Sequence, residues 1–198
     1  MRLRGLYAVT PEALEGEELV RRVGHALEGG IAALQYRRKE LALVEEARTL
    51  ARMCRASNAL FIVNDDVAFL AEADGVHLGR HDGDLAAARA RLPGKSLGAS
   101  CYDSLEAARA AVAAGADYVA FGSVFASSTK PGAVRAPLTL FGEAKRLGVP
   151  LVAIGGITVE NAPALLAAGA DALAVVSDLF DAPDVAARAR AYGKLFAR

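Results

Sequence analysis

Tryptophan is absent, and only 6% of the residues are aromatic. Hydrophobic residues nevertheless make up 54% of the chain, so a sizeable core is expected. Cysteine occurs twice, at Cys54 and Cys101. Two cysteines make no disulfide framework, and the CxxC spacing of a metal or redox site is missing. A reducing cytosol is the expected location. Net charge is missing as well, because 23 Lys and Arg balance 23 Asp and Glu. That balance argues against a general nucleic-acid binder, which needs a basic face. No run approaches the roughly 18 uninterrupted apolar residues of a membrane span. The first residues, MRLRGLYAVTPEAL, lack the apolar centre of a secretory signal. A cytoplasmic protein without membrane or nucleic-acid partners is the expectation.

What the chain does contain is an alternation of short apolar runs and amphipathic segments. Strand candidates are Leu6–Val9, Ile31–Tyr36, Leu60–Val63, Gly75–Leu78, Ser96–Ala99, Tyr118–Phe121, Leu151–Ile154 and Leu173–Val176. Between and after them lie helix candidates: Glu17–Glu28, Leu41–Ala56, a short one near Val67–Ala73, Leu85–Leu92, Ser104–Ala114, Leu138–Leu147, Val159–Ala168 and Asp184–Phe196. Glycines stop several of these, as at Gly29-Gly30. Strand and helix in strict alternation predict an α/β protein, a compact (β/α)8 TIM barrel, at about 25 residues per unit. The string AAGAD occurs at 113–117 and again at 167–171, each time ahead of an even-numbered strand. Ala73-Asp74-Gly75 is a weaker copy. No linker interrupts the pattern, so residues 1–198 are read as one barrel domain.

In such barrels the active site lies at the carboxyl ends of the strands. The second strand ends Gln35-Tyr36-Arg37-Arg38-Lys39, and alternation puts Gln35, Arg37 and Lys39 on one face. Asn64 and Asp65 close the third strand, and Asp82 follows the fourth. Neighbouring parallel strands share a rim, so the two carboxylates face one hole and form a seat for a hard divalent cation. Taken singly, the basic run could be a solvated turn and Asp65 a helix cap. Asp66 reads as such a cap, His25 and His77 as structural, and His81 as a rim residue that could touch a ligand. Ser100 and Cys101 end the fifth strand; nothing beside Cys101 would activate a thiolate.

After the sixth strand, Ser123 to Pro137 forms a long polar stretch containing Ser127, Ser128, Thr129 and Lys130. Hydroxyls, backbone amides and a lysine between Gly and Pro suit a mobile anion-binding lid. Gly155-Gly156 after the seventh strand, and Val176-Ser177 after the eighth, occupy the usual phosphate corner of this fold. Asp178 conflicts mildly with that corner, since it would repel a phosphate unless turned away. The inventory implies two anionic groups in one mouth, one beside a metal and one without.

QYRRK, ND, GVHLG followed by Asp82, GAS, ADYVAFGSVF, SSTK, AIGGI and AVVS stand in this order along the chain. Together they resemble the thiamine-phosphate synthase family over nearly the whole length. The resemblance implies a (β/α)8 barrel and a transferase. Such an enzyme couples 4-amino-5-hydroxymethyl-2-methylpyrimidine diphosphate to a thiazole monophosphate and releases thiamine monophosphate and diphosphate. By motif match Gln35, Arg37, Lys39, Asn64, Ser100 and Lys130 would hold the pyrimidine diphosphate, with Arg37, Lys39 and Lys130 catalytic. Asp65 and Asp82 would bind Mg²⁺. Ser127, Ser128, Thr129, Gly155, Gly156, Val176 and Ser177 would hold the thiazole phosphate. The partners implied are these small phosphorylated molecules, and a homo-oligomer is left open.

Three positions depart from the family pattern: Arg80 in place of Gln, Ser127 in place of Thr, and Asp178 in place of a small residue. The competing readings are a thiazole tautomerase on the same barrel, a sugar-phosphate epimerase, and a non-catalytic regulatory relative. The tautomerase branch typically has His where Ser123 stands, and a regulatory relative would have lost metal or diphosphate ligands. Ser123 and the intact ligand sets favour the synthase.

Overall fold

Eight short strands pair in chain order: β1 (Gly5–Val9), β2 (Ala33–Tyr36), β3 (Leu60–Asn64), β4 (Gly75–Leu78), β5 (Ser96–Tyr102), β6 (Tyr118–Phe121), β7 (Leu151–Ile154) and β8 (Ala172–Val175). Each pairs parallel with the next, and β8 returns to β1 and closes the barrel. The computed structural model describes residues 3–38, 43–65, 71–80, 82–126 and 134–197. Around the barrel lie α1 (Gly16–Glu28), α2 (Val44–Ala56), α3 (Leu85–Ala90), α4 (Leu105–Ala113), α5 (Thr139–Ala144), α6 (Ala162–Ala168), α7 (Ser177–Phe180) and α8 (Val185–Phe196). The expected barrel is therefore the fold that forms. The helix expected near Val67–Ala73 falls mostly outside the described residues.

Alternation along the strands separates two cores. Tyr7, Val9, Ala33, Ile62, Tyr118, Ala120, Val152, Ala172 and Ala174 fill the barrel interior. The opposite faces, with Leu34, Phe61, Val76, Val119, Phe121 and Leu173, pack on helix residues such as Leu19, Leu50, Phe141 and Leu165. Small alanines inside leave room for two tyrosines. Gly98 sits opposite Tyr118 in the β5–β6 ladder, and a Cβ there would come within 2.0 Å of the Tyr118 ring.

The AAGAD repeat has a structural cause. Asp117 accepts from the Leu97 N–H at 2.8 Å, and Asp171 accepts from the Leu151 N–H at 2.9 Å. Asp74 does the same with the Phe61 N–H at 2.8 Å. Each aspartate, placed just before an even strand, clasps the start of the odd strand before it. Arg89 pairs with Asp117 and Lys145 with Asp171.

Among the boundaries that differ from expectation, two bear on the mouth of the barrel. β5 continues to Tyr102, because β6 still offers partners: Ser100 lies opposite Ala120 and Tyr102 opposite Phe121, with a shift of register between. At the other end, β8 stops at Val175, and Val176 is the cap residue of α7.

Candidate active site

The end of β2 is held from both sides. Gln35 is buried and points into the barrel, where its Nε2 donates to Tyr7 Oη at 3.0 Å. Tyr36 points the other way and donates to Glu46 Oε1 at 2.7 Å. Glu46 also accepts from Arg38 at 2.8 Å and from the Gly16 N–H at 2.6 Å. Buried, the Glu46 carboxylate is matched by one cation and two further donors, which is what such a burial requires. The Arg37 N–H donates to Thr10 Oγ1 at 2.9 Å, and its guanidinium bonds the Glu12 carboxylate. Arg37 is thus paired with Glu12, and Arg38 is committed to Glu46. Lys39 lies outside the described residues.

Asp65 follows β3 directly with φ of 60°, a left-handed conformation uncommon for a residue other than glycine. Its N–H donates to the His77 carbonyl at 3.0 Å, which fixes it to the end of β4. Asp82 turns back over the same strand end, where its Oδ2 accepts from the Gly79 N–H at 2.6 Å. The two carboxyl groups meet. Burial, then the hydrogen bond and the charge of Asp82, push the Asp65 carboxyl up to about 7; Arg37 and Asn64 act in the opposite sense. Gln35, Arg37, Asn64, Asp65 and Asp82 are therefore gathered at the ends of three adjacent strands. Among the described residues no third His, Cys, Asp or Glu joins the two aspartates in one cluster. Arg80 lies nearby, its guanidinium stacked 4.5 Å from the centre of the Tyr102 ring.

Ser100, on the inner side of β5, is bonded to His77 Nε2 at 2.9 Å. Burial holds His77 neutral, pushing it down to about 4. His77, expected to be structural, lies beneath the mouth with Tyr7 and Tyr118; Tyr7 bonds Gln35, His77 bonds Ser100, and Tyr118 joins the two. Inward-facing polar rings among the alanine and aliphatic side chains lining the barrel were the available signal. Cys54 and Cys101 are buried and free, and burial pushes both thiols up to about 12, so neither forms a thiolate at neutral pH.

The opposite side of the mouth is built of glycine. Gly155 and Gly156 have φ of 104° and 63°. A Cβ on Gly155 would stand 2.2 Å from Ser123 Oγ, and one on Gly156 would stand 2.2 Å from the Ala126 carbonyl oxygen. Only glycine satisfies both the backbone and the space. Asn161 holds this turn by donating to the Gly156 carbonyl at 2.9 Å. Ser123 is tied down as well, donating to the Phe125 carbonyl at 2.7 Å. Val176 packs against the interior core, and Ser177 opens α7. Asp178 is turned away from the mouth. It accepts from Tyr192 Oη at 2.7 Å and lies 3.5 Å from Arg188. Ser127, Ser128, Thr129 and Lys130, with Asp66 and His81, lie outside the described residues.

The thiamine monophosphate synthase family profile matches residues 6–179. The chain belongs to that family. Its curated relatives include thiamine-phosphate synthases of Aromatoleum aromaticum and Chromobacterium violaceum, each 57% identical and aligned over 98% of this chain and 97% of the relative. Among solved structures, a thiamine phosphate pyrophosphorylase from Pyrococcus furiosus is 36% identical with a TM-score of 0.88, over 98% of this chain and 95% of that one. A 3-hexulose-6-phosphate synthase, at 21% identity and a TM-score of 0.71, shares the barrel alone. Asp65, Asp82, Arg37 and the glycine turn lie at the carboxyl end of the barrel strands. The cavity of about 500 Å³ lined by Arg4, Lys145, Asp171 and Phe196 is at the other end, beside the starts of β1 and β8. No helix among the described residues is long and apolar enough to cross a membrane.

Proposed function

We infer that the chain is a thiamine-phosphate synthase. It joins 4-amino-5-hydroxymethyl-2-methylpyrimidine diphosphate to a thiazole monophosphate, giving thiamine monophosphate and diphosphate. The observation that carries this reading is the meeting of Asp65 and Asp82 beside Arg37 and Asn64. Two carboxyl groups in contact cannot both ionise cheaply without a cation between them. Their oxygens fit Mg²⁺, which commonly takes one or two protein carboxylates and completes its shell with water and substrate phosphate. The chemistry a bound Mg²⁺ supplies here is neutralisation of charge on the diphosphate leaving group.

The protein's own residues do the rest by placement. Arg37, Lys39 and Lys130 offset the negative charge that grows as diphosphate departs. Asn64, Gln35 and Ser100 hold the pyrimidine end. The bond from the pyrimidine methylene carbon to oxygen breaks with its electron pair going to diphosphate, and the amino-substituted ring stabilises the resulting cation. The thiazole nitrogen then forms the carbon–nitrogen bond with its lone pair. No protein nucleophile or strong base is needed, which agrees with buried, neutral His77 and inert thiols. Gly155, Gly156, Val176 and Ser177, with Ser127, Ser128 and Thr129, receive the thiazole phosphate. Glycine permits backbone amides to approach the anion closely there, and Asp178 is held off by Tyr192 and Arg188.

The test is direct. Purified protein with Mg²⁺ and both phosphorylated precursors yields thiamine phosphate and diphosphate in equal amounts. Absence of product, together with turnover of a thiazole tautomer, would overturn the reading in favour of the tautomerase branch.

A further inference from the structure

Five polar side chains form one unbroken line across the barrel interior. Gln35 Nε2 donates to Tyr7 Oη at 3.0 Å. Tyr7 Oη lies 2.9 Å from Tyr118 Oη, and Tyr118 Oη lies 3.1 Å from His77 Nδ1. His77 Nε2 lies 2.9 Å from Ser100 Oγ. The line begins on β2, passes through β1, β6 and β4, and ends on β5. Tyr7, Tyr118 and His77 are buried at 1%, 0% and 6% exposure, too enclosed to exchange these bonds with bulk water. The rings also pack on one another, Tyr7 edge-on to Tyr118 at 6.1 Å and His77 stacked on Tyr118 at 5.6 Å. Gly98 leaves the space that the Tyr118 ring occupies.

The direction of the line follows from counting protons. Gln35 gives an amide hydrogen to Tyr7 Oη; Tyr7 is buried and Tyr118 Oη is the acceptor within its reach, so giving its single proton to Tyr118 keeps that proton bonded. The single Tyr118 proton then goes to His77 Nδ1. A neutral imidazole that accepts at Nδ1 carries its proton on Nε2. That proton goes to Ser100 Oγ, and the Ser100 hydroxyl proton remains for whatever sits above it. At the far end Gln35, with its amide nitrogen turned inward, keeps its Oε1 as an acceptor. Reversing any one link would put two protons, or none, between a pair of atoms elsewhere in the line. The links therefore hold one direction together.

We propose that Tyr7, Tyr118 and His77 are positioning residues that form a one-way hydrogen-bond relay, fixing Gln35 as an acceptor and Ser100 as a donor toward the pyrimidine substrate. The proposal rests on the reading above that Gln35 and Ser100 face that substrate. Its chemical consequence is selectivity. An aminopyrimidine offers amine N–H donors and ring-nitrogen acceptors. The corresponding oxopyrimidine offers a carbonyl acceptor and a ring N–H in their place, and would meet like against like at a relay that cannot turn around locally.

The deciding experiment is nitrogen-15 NMR of the imidazoles in the full-length protein, with His77 assigned by comparison with His77→Asn. Wild type is expected to show the neutral Nε2–H tautomer at His77. Gln35→Glu places a carboxylate against Tyr7 that can only accept, so every link inverts. His77, which does not touch residue 35, is then expected to switch to the Nδ1–H tautomer. An Nδ1–H tautomer in wild type, or no switch in Gln35→Glu, would overturn the relay whether or not the protein makes thiamine phosphate. A kinetic arm tests its use. Tyr118→Phe keeps the ring and cuts the line, and is expected to raise KM for the pyrimidine diphosphate about tenfold while KM for the thiazole phosphate stays within about twofold. Ser100→Ala is expected to cost much less in that background than in wild type. Equal changes in both KM values would reduce the line to a structural feature. Should Tyr118→Phe fail to fold, the tautomer switch alone decides. Failure of the functional reading would appear separately, as absence of turnover in wild type.

Discussion

The carboxyl groups of Asp65 and Asp82 stand together where the ends of β3 and β4 meet, close enough for Asp82 to push the Asp65 carboxyl up. The Asp65 N–H is bonded to the His77 carbonyl, and Asp82 Oδ2 to the Gly79 N–H. The first bond fixes the Asp65 backbone and the second the Asp82 carboxylate, so both groups are positioned before any ligand arrives.

The pair has a pH dependence. Asp65 is raised to about 7 in the fold, above its ordinary carboxylate value. The folded protein without metal therefore binds more protons than the unfolded chain between about pH 4 and about pH 7, and loses this stabilisation as pH rises through about 7. A cation between the two carboxylates removes the repulsion that appears once both ionise. The increase in Tm on adding MgCl₂ is expected to be larger at about pH 8 than at about pH 5.5, and binding near pH 6.5 should release protons, read by calorimetry in buffers of different ionisation enthalpy. Equal Tm increases at both pH values would contradict the shared site. Asp65→Ala and Asp82→Ala should each abolish most Mg²⁺-dependent turnover and leave the circular dichroism spectrum unchanged.

The glycine turn makes a second prediction. Gly156→Ala must shift either the turn or the Ala126 carbonyl, since the new Cβ would lie 2.2 Å from that oxygen at a φ of 63°. A cost of about 1–3 kcal/mol in stability is expected from the backbone strain. KM for the thiazole phosphate should rise more than KM for the pyrimidine diphosphate. Unchanged steady-state constants would remove this turn from the phosphate site.

Asp178 supplies a test of the opposite kind. Its carboxylate is engaged by Tyr192 and Arg188 on α8 and faces away from the mouth. Asp178→Asn should leave KM for the thiazole phosphate within about twofold and lower stability by about 1 kcal/mol, the scale of one hydrogen bond. A several-fold fall in that KM would mean that Asp178 repels the phosphate in the folded protein.

Much of the fold and part of the site were legible because they follow local rules. Apolar runs of strand length, glycine stops and the repeated AAGAD gave the barrel, and Asp74, Asp117 and Asp171 explain that repeat as a clasp between adjacent strands. Parallel pairing placed Asp65 by Asp82. What was not legible depends on contacts across the barrel. His77 meets Tyr118, 41 positions away, and Tyr118 meets Tyr7, 111 positions away. No local pattern joins such residues. The extension of β5 to Tyr102 and the partners that hold Asp178 outward were hidden for the same reason, because each is decided by a neighbour on another element.

The placement of the reaction is tested most directly by a crystal of the protein soaked with Mn²⁺ and diphosphate, with data collected for anomalous scattering. One strong anomalous peak is expected to bridge Asp65 and Asp82, with diphosphate bound to it and directed toward Arg37. A metal peak elsewhere, or diphosphate seated at the Gly155–Gly156 turn with no metal between the aspartates, would contradict it.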